Sequence, residues 1–376
     1  MNSTNSSEGG STSSLKCNSP SERVSVLVSE ITPSEFDSWY REREVERNIR
    51  NGRPYFNGPS RTPDPEQHSP SRLLKCHRRV YYQLHNAPAE IPDPEGIFWF
   101  GSQFETEVAV PFFQDLAEPD LYVRNSMWVD FSIDTGDGKL RFRGETDPVI
   151  VDEDSQPLLL TEIKTTSSFT YLDSPRAQHL AQAHAYLYGL SEESDQVVRD
   201  AILLYGKRDD FSLRTFHVRF DTAFWDEVLE WAEKNTHYRE TRTLPPAQPE
   251  FEWECQYCPY RRRCGKTEDA YTDVGPVGLL PLVDDYPRER LEEYLAAYPS
   301  AKLTPTLAHR YPELADKHGS YEWRCVACGT EYPVDSVTWK GDTDHPPQCA
   351  SCSTKEIFSP LAGPHPEKQA ITSGDE

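Results

Sequence analysis

Residues 144–166 read GETDPVIVDEDSQPLLLTEIKTT, and the fold is decided there. Two β-rich runs, VIV and LLLTEIKTT, flank the polar loop DEDSQP, the pattern of neighbouring strands joined by a turn. In the second run Glu162 and Lys164 are two residues apart, so their side chains share one face while Thr161 and Ile163 take the other. Asp147, on the preceding strand, is expected to reach the same end of the sheet. An E-x-K pair alone is usually a solvent-facing ion pair contributing at most ~1 kcal/mol. Here LLL buries the start of the strand and Asp147 adds a second carboxylate. Two converging carboxylates make a hard-oxygen site suited to Mg²⁺ or Mn²⁺. Such ions polarise a phosphate and acidify a bound water. Lys164 is placed to orient that water and to offset developing negative charge.

Working outward, a helix is predicted over 175–190, with Gln178, Gln182 and Tyr186 spaced four apart along one face above the carboxylates. A glutamine there suits a phosphate or base edge, and a tyrosine suits base stacking, although a single tyrosine is more often a core residue with a satisfied hydroxyl. His179 and His184 point elsewhere and are read as structural. Upstream, YVRNSMWVDFSID and LRFRGETDPVIV read as strands around the turn Gly136-Asp137-Gly138; downstream come strands VRDAILLYGK and LRTFHVRF and a helix near 222–238. Before the strands lie an aromatic-led helix in FWFGSQFETEVAVPFFQDL and a helix opened by Pro70-Ser71 that carries Cys76. VSVLVS reads as a short strand, followed by a polar helix opened by Pro33-Ser34; residues 52–70 read as a loop. The expected class is α/β: a mixed sheet flanked by helices. The boundaries are a disordered tail over 1–22, one large domain over 23–266, a connector with a helix over 267–320, a four-cysteine module over 321–358 and a disordered tail over 359–376.

Eight of the nine cysteines form two sets, Cys76, Cys255, Cys258, Cys264 and Cys325, Cys328, Cys349, Cys352. No signal peptide opens the chain and no apolar run approaches the roughly 20 residues of a membrane span, so a cytoplasmic protein with reduced, metal-binding thiols is expected, away from membranes. Two CxxC pairs twenty residues apart make the second set a strong zinc-ribbon signal, with Gly329 easing the knuckle turn. Cys17 has no evident partner.

The 376 residues carry 62 acidic and 39 basic side chains, a net charge of −23. That balance disfavours a nucleic-acid partner in dilute salt. It fits a halophilic protein, because at 1 M salt the screening length is roughly 3 Å and repulsion beyond contact vanishes. Binding to DNA would then rest on metal–phosphate bonds, stacking and local arginines. Local basic patches exist: Arg72, Lys75, Arg78 and Arg79 around Cys76, and Arg261, Arg262, Arg263 and Lys266 around Cys264. Solvated helix charge is the plain reading, but a shared cluster would join both patches into one phosphate-contacting surface.

The order G-x-x-D, E-I-K, Q-x-x-x-Y, set inside the first cysteine set, resembles the RecB-like branch of the PD-(D/E)XK nucleases. It is similar to the CRISPR-associated exonucleases of that branch and to helicase-linked nucleases, over roughly residues 70–266. The resemblance implies a restriction-endonuclease-like sheet and a metal-dependent deoxyribonuclease, an exonuclease on single-stranded DNA. Asp147, Glu162 and the Ile163 carbonyl would hold Mg²⁺ or Mn²⁺, Lys164 would serve the water, and Gln182 and Tyr186 would guide single-stranded DNA; from the basic patches, Arg78, Arg79 and Arg262 are the expected phosphate contacts. Glu105, in place of the family's histidine, would be a further ligand, with Glu107 as the fallback. The first cysteine set would hold a 4Fe–4S cluster stapling both ends of the domain, with zinc as the plainer occupant. CRISPR spacer acquisition, with its integration complex, and DNA repair, with a separate helicase, both fit. A non-catalytic DNA-binding scaffold is the alternative, against which the intact Asp147, Glu162 and Lys164 speak.

Overall fold

The computed structural model describes residues 24, 27–50, 66–91, 95–117, 119–136, 138–266 and 275–371. The expected tail over 1–22, Cys17, most of the loop over 52–70 and Asp137 lie outside the described residues. The chain divides into two units, residues 1–61 and 62–376. In the first, α1 spans Pro33–Arg50, as Pro33-Ser34 announces. The strand expected at VSVLVS is not formed: Val24 and residues 27–30 are helical. A strand needs a partner for its backbone groups, whereas a helix satisfies them within itself.

In the second unit, β1 (Gln67–His68) leads to a 3₁₀ turn, Pro70–Arg72, and then α2 (His77–Leu84). The single helix expected from Pro70 is therefore broken, with Leu74 at φ +55° and Cys76 capping α2 instead of lying within a helix. Helix α3 (Glu95–Phe104) runs through a π-helical turn, Glu105–Ala109, into α4 (Val110–Leu116). The strands β2 (Tyr122–Arg124), β3 (Trp128–Thr135), β4 (Gly138–Glu145), β5 (Val149–Val151) and β6 (Pro157–Thr166) follow. Helix α5 (Ala177–Glu193) connects β6 to β7 (Asp200–Lys207), and β8 (Leu213–Arg219) and α6 (Thr222–Glu240) complete the core.

These strands make two sheets, not the single one expected. A five-stranded mixed sheet has the order β2-β5-β6-β7-β8, parallel only at β6/β7, and a three-stranded sheet has the order β1-β4-β3. The parallel pair requires a crossover, which α5 supplies. The split falls inside LRFRGETDPVIV: β4 ends at Glu145 and β5 begins at Val149, so Asp147 lies between strands of different sheets and not on a strand. One apolar core, including Val129, Phe142, Leu160, Leu187 and Leu203, packs both sheets against α5 and α6. Gly189 brings α5 against β3, because an added Cβ would meet Val129 and Phe131 at 2.8 Å.

Residues 275–371 are more ordered than the expected connector and tail. Helices α7 (Arg288–Ala297), α8 (Pro305–Arg310) and α9 (Pro312–His318) share their own core of Leu279, Tyr286, Leu291, Tyr294, Leu303 and Leu307. A small sheet follows, with β9 (Trp323–Cys325) between β10 (Glu331–Tyr332) and β11 (Leu361–Ala362), and a short helix α10 at Ala350–Ser353. The stretch expected as a tail thus supplies β11, and Gln369 is buried, its side chain bonded to both the backbone N–H and the carbonyl of Leu279. Polar composition misled the reading: a buried glutamine is tolerated when its amide finds backbone partners.

Candidate active site

The break between the two sheets positions the first carboxylate. Thr161 donates both its N–H and its hydroxyl to the Pro148 carbonyl, and the Ile163 N–H donates to Asp147 Oδ2 at 2.7 Å. The Asp147 side chain thereby takes the place of a strand partner just beyond the start of β5. Glu162, two residues before Lys164 on β6, is 0 % exposed and accepts a hydrogen bond from the Lys164 ammonium. Asp147, Glu162 and Lys164 are therefore brought together, as the spacing predicts.

The electrostatics of this trio are unsatisfied. Burial, and next the Asp147 carboxylate beside it, push Glu162 up to about 8 despite the Lys164 charge. Burial alone would lower Lys164, but the two carboxylates outweigh it and hold the ammonium above its usual value. Glu162 Oε2 is buried with no hydrogen-bond partner. A buried carboxylate oxygen without a partner costs on the order of 1–3 kcal/mol or more, and a bound divalent cation removes that cost. Paired carboxylate oxygens suit Mg²⁺ or Mn²⁺.

Glu105 sits half-buried at the start of the π-helical turn, directly after the core residue Phe104. Its carboxylate is not gathered with Asp147 and Glu162: among the described residues, those three do not bring their ligand oxygens within 4.8 Å of one another. Glu107 is exposed.

On α5, Gln182 and Tyr186 are 7 % and 3 % exposed. Tyr186 donates its hydroxyl to the Glu145 carbonyl at 2.7 Å, Gln182 bonds to that hydroxyl, and the ring lies in the core. Its ring offers no face to a base, which corrects the stacking role expected of it; it braces the end of β4 ahead of Asp147. Gly144 permits this, since a Cβ there would meet Pro70 at 2.9 Å and the Tyr186 ring at 3.2 Å. Gln178 instead donates to Glu254 at 3.1 Å. A layer missed in sequence surrounds Lys164: Tyr205 stands opposite it on β7, and the Tyr205 hydroxyl meets His179 Nδ1 at 2.8 Å. Burial, then the Lys164, Arg176 and Lys75 charges, lower His179 to about 3. Only the β6/β7 register reveals Tyr205, so no sequence spacing pointed to it.

The first cysteine set converges on one cavity, where Cys76, Cys255, Cys258 and Cys264 are joined by Arg78, Arg79 and Lys266. Burial raises Cys258 to about 11. Arg78 and Arg262 each make contacts within the protein. Arg78 donates to the Pro245 carbonyl at 2.7 Å and lies 3.7 Å from Cys264 Sγ, and Arg262 pairs with Asp285 at 3.0 Å. Arg79 keeps a buried Nε that makes no hydrogen bond. Glu90 clamps the same segment, accepting from the N–H groups of Arg262 and Arg263 at 2.8 Å each.

The two sets differ in geometry. In the second, Cys325 and Cys352 sulfurs are 3.6 Å apart, Cys328 and Cys349 sulfurs 3.7 Å, and all four lie within 4.8 Å of one another. Zn–S bonds of ≈ 2.3 Å give such spacings around one ion. The N–H groups of Cys328 and Cys352 point at the sulfurs of Cys325 and Cys349, and Gly329 takes φ +72° after the first knuckle. Among the described residues the first set forms no such tight group.

Among solved structures, the chain is similar to SSO0001, with 18 % identity, a TM-score of 0.41, and 63 % of this chain and 98 % of that one covered. It is also similar to the alkaline exonuclease LHK-Exo from Laribacter hongkongensis, with 14 % identity, a TM-score of 0.33, and coverage of 48 % and 91 %. The same exonuclease in complex with dAMP matches at 15 % identity and a TM-score of 0.31, covering 46 % and 92 %. No curated protein matches. The family model of the PD-(D/E)XK nuclease superfamily matches residues 45–265, more than half of the chain and all of the trio, and the chain belongs to that superfamily.

Proposed function

We propose that the protein is a metal-dependent deoxyribonuclease that acts as an exonuclease on single-stranded DNA, working with a CRISPR spacer-integration complex or with a repair helicase. The observation that carries the reading is the buried, partnerless Glu162 Oε2 beside Asp147 and Lys164. Asp147, Glu162 and the Ile163 carbonyl would hold Mg²⁺ or Mn²⁺, with Glu105 closing in as a further ligand. The ion, when bound, polarises the scissile phosphate and lowers the pKa of the attacking water. Lys164, held charged by its two carboxylates, orients that water and offsets charge on the phosphate. Tyr186 and Gln182 fix the end of β4 so that Asp147 keeps its place.

The first cysteine set is assigned a 4Fe–4S cluster, supported by the convergence of its four cysteines on one cavity and by the surrounding Arg78, Arg79 and Lys266 charges, which favour an anionic cluster of four thiolates. The second is assigned zinc, supported by its sulfur spacings. The test is digestion of end-labelled single-stranded DNA in Mn²⁺. Wild-type protein releases nucleotides from an end, and Lys164→Ala, with fold and cluster intact, loses at least a hundredfold in rate. Unchanged cleavage by Lys164→Ala, or an inert wild type, overturns the reading.

A further inference from the structure

The segment carrying the first cysteine set displays three large aromatic side chains that fill no core. Within Phe251–Tyr257, Phe251 and Trp253 are each 45 % exposed and Tyr257 is 71 % exposed. Phe251 and Trp253 are stacked, with ring centres 6.0 Å apart and planes at 16°. Tyr257 meets Trp253 edge-on at 6.5 Å. Arg176, the residue capping α5, lies over the same Trp253 ring: its guanidinium carbon is 5.6 Å from the ring centre.

This row is tied to the carboxylate site by short links. Glu254, between Trp253 and Cys255, accepts from Gln178 on α5 at 3.1 Å. The Arg176 N–H reaches the Tyr205 hydroxyl at 3.4 Å, and Tyr205 faces Lys164 across β6 and β7. An exposed aromatic row beside an arginine, linked through Arg176 and Tyr205 to the carboxylate site, matches the surface on which unpaired bases stack. Duplex bases keep their faces covered, so the surface fits a single strand. Glu250 and Glu252 alternate with the aromatics and repel phosphates. The surface therefore recognises base faces and not backbone charge.

We propose that Phe251, Trp253 and Tyr257, with Arg176, form a platform on which the bases of single-stranded DNA stack as the strand approaches the site. This rests on the nuclease reading above. Stacking contributes roughly 5- to 150-fold in affinity per base. It releases few counterions, so its contribution is expected to be nearly independent of salt.

The test compares an oligo-dT strand with an abasic strand of equal length by fluorescence anisotropy, with Ca²⁺ in place of Mg²⁺ or Mn²⁺. Wild-type protein is expected to prefer oligo-dT at least fivefold, at low and high salt alike. Trp253→Ala is expected to bring the two affinities together by weakening oligo-dT alone, and Trp253→Phe to keep most of the preference. The platform is overturned if wild type binds both strands equally, as it would if the aromatic row served a protein partner. It is also overturned if the preference survives both Trp253→Ala and the triple change of Phe251, Trp253 and Tyr257 to Ala. Digestion in Mn²⁺ separates the two readings: a wild type that cuts single strands while failing the stacking test sinks the platform alone, and one that cuts nothing sinks both.

Discussion

Glu162 is a carboxylate that the protein alone does not satisfy. With its pKa raised toward 8 by burial and by Asp147, folded protein holds a proton there that the unfolded chain releases near pH 4.5. Between those values the folded state binds more protons, so stability without metal falls as pH rises. Glu162→Gln removes this loss and keeps the shape. In chelator, its melting temperature relative to wild type is expected to climb from pH 5 to pH 8. In Mn²⁺ the order reverses, because only the carboxylate gains from the ion. Parallel pH profiles for the two proteins in chelator would count against an ion site built on Glu162. The pairing of Glu162 with Lys164 was legible in sequence because strand alternation fixes which side chains share a face, whereas Asp147, expected on a strand, arrives from the break between two sheets. Tyr186 was misread for a related reason: the four-residue spacing told which face it lay on, but not that Gly144 left room for its ring against β4.

At the level of elements, the strands of the main sheet and α5 follow from apolar runs and turn residues, and so were readable. The break at Thr146–Pro148 was not, because nothing local distinguishes a continuous strand from two that serve different sheets. The approach of the π-helical turn to β7 was equally hidden. Gly206 on β7 makes that approach feasible: a Cβ there would come within 3.0 Å of three Phe104 ring atoms. Phe104 is 2 % exposed and cannot swing into solvent, and Glu105 follows it directly. Gly206→Ala is expected to cost about 1–3 kcal/mol through overpacking, read as a lower urea midpoint. It should also slow cleavage by displacing Glu105. A variant with a lowered midpoint but an unchanged cleavage rate would show that Glu105 lies outside the working site.

Across the whole molecule, the C-terminal quarter behaves as a continuation of the nuclease domain instead of a tethered module. Tyr298 donates to the His85 carbonyl at 2.6 Å, Asn86 donates to the Glu293 carbonyl at 3.2 Å, and Arg263, fully buried, bonds the carbonyls of Gly275 and Gly278. These links run between the segments flanking the first cysteine set and the helical cluster around Tyr294. That cluster is in turn bound to the second cysteine set through Gln369 and Leu279, and through β11 paired to β9. Composition suggested a loose connector because backbone–side-chain clamps leave no periodic trace. Zinc, if held by the second cysteine set as proposed, would supply on the order of 10 kcal/mol to so small a module. On that proposal, removing a ligand is expected to loosen the module and to spread along the clamps. Cys349→Ser is expected to raise hydrogen exchange not only over 323–362 but also at Leu279, Leu303 and Leu307, while β6 and β7 keep their protection. If exchange rises only between the cysteines, the Gln369 clamp holds without the ribbon and the two regions unfold independently; if β6 and β7 also lose protection, the molecule is a single cooperative unit and the catalytic sheet depends on the ribbon.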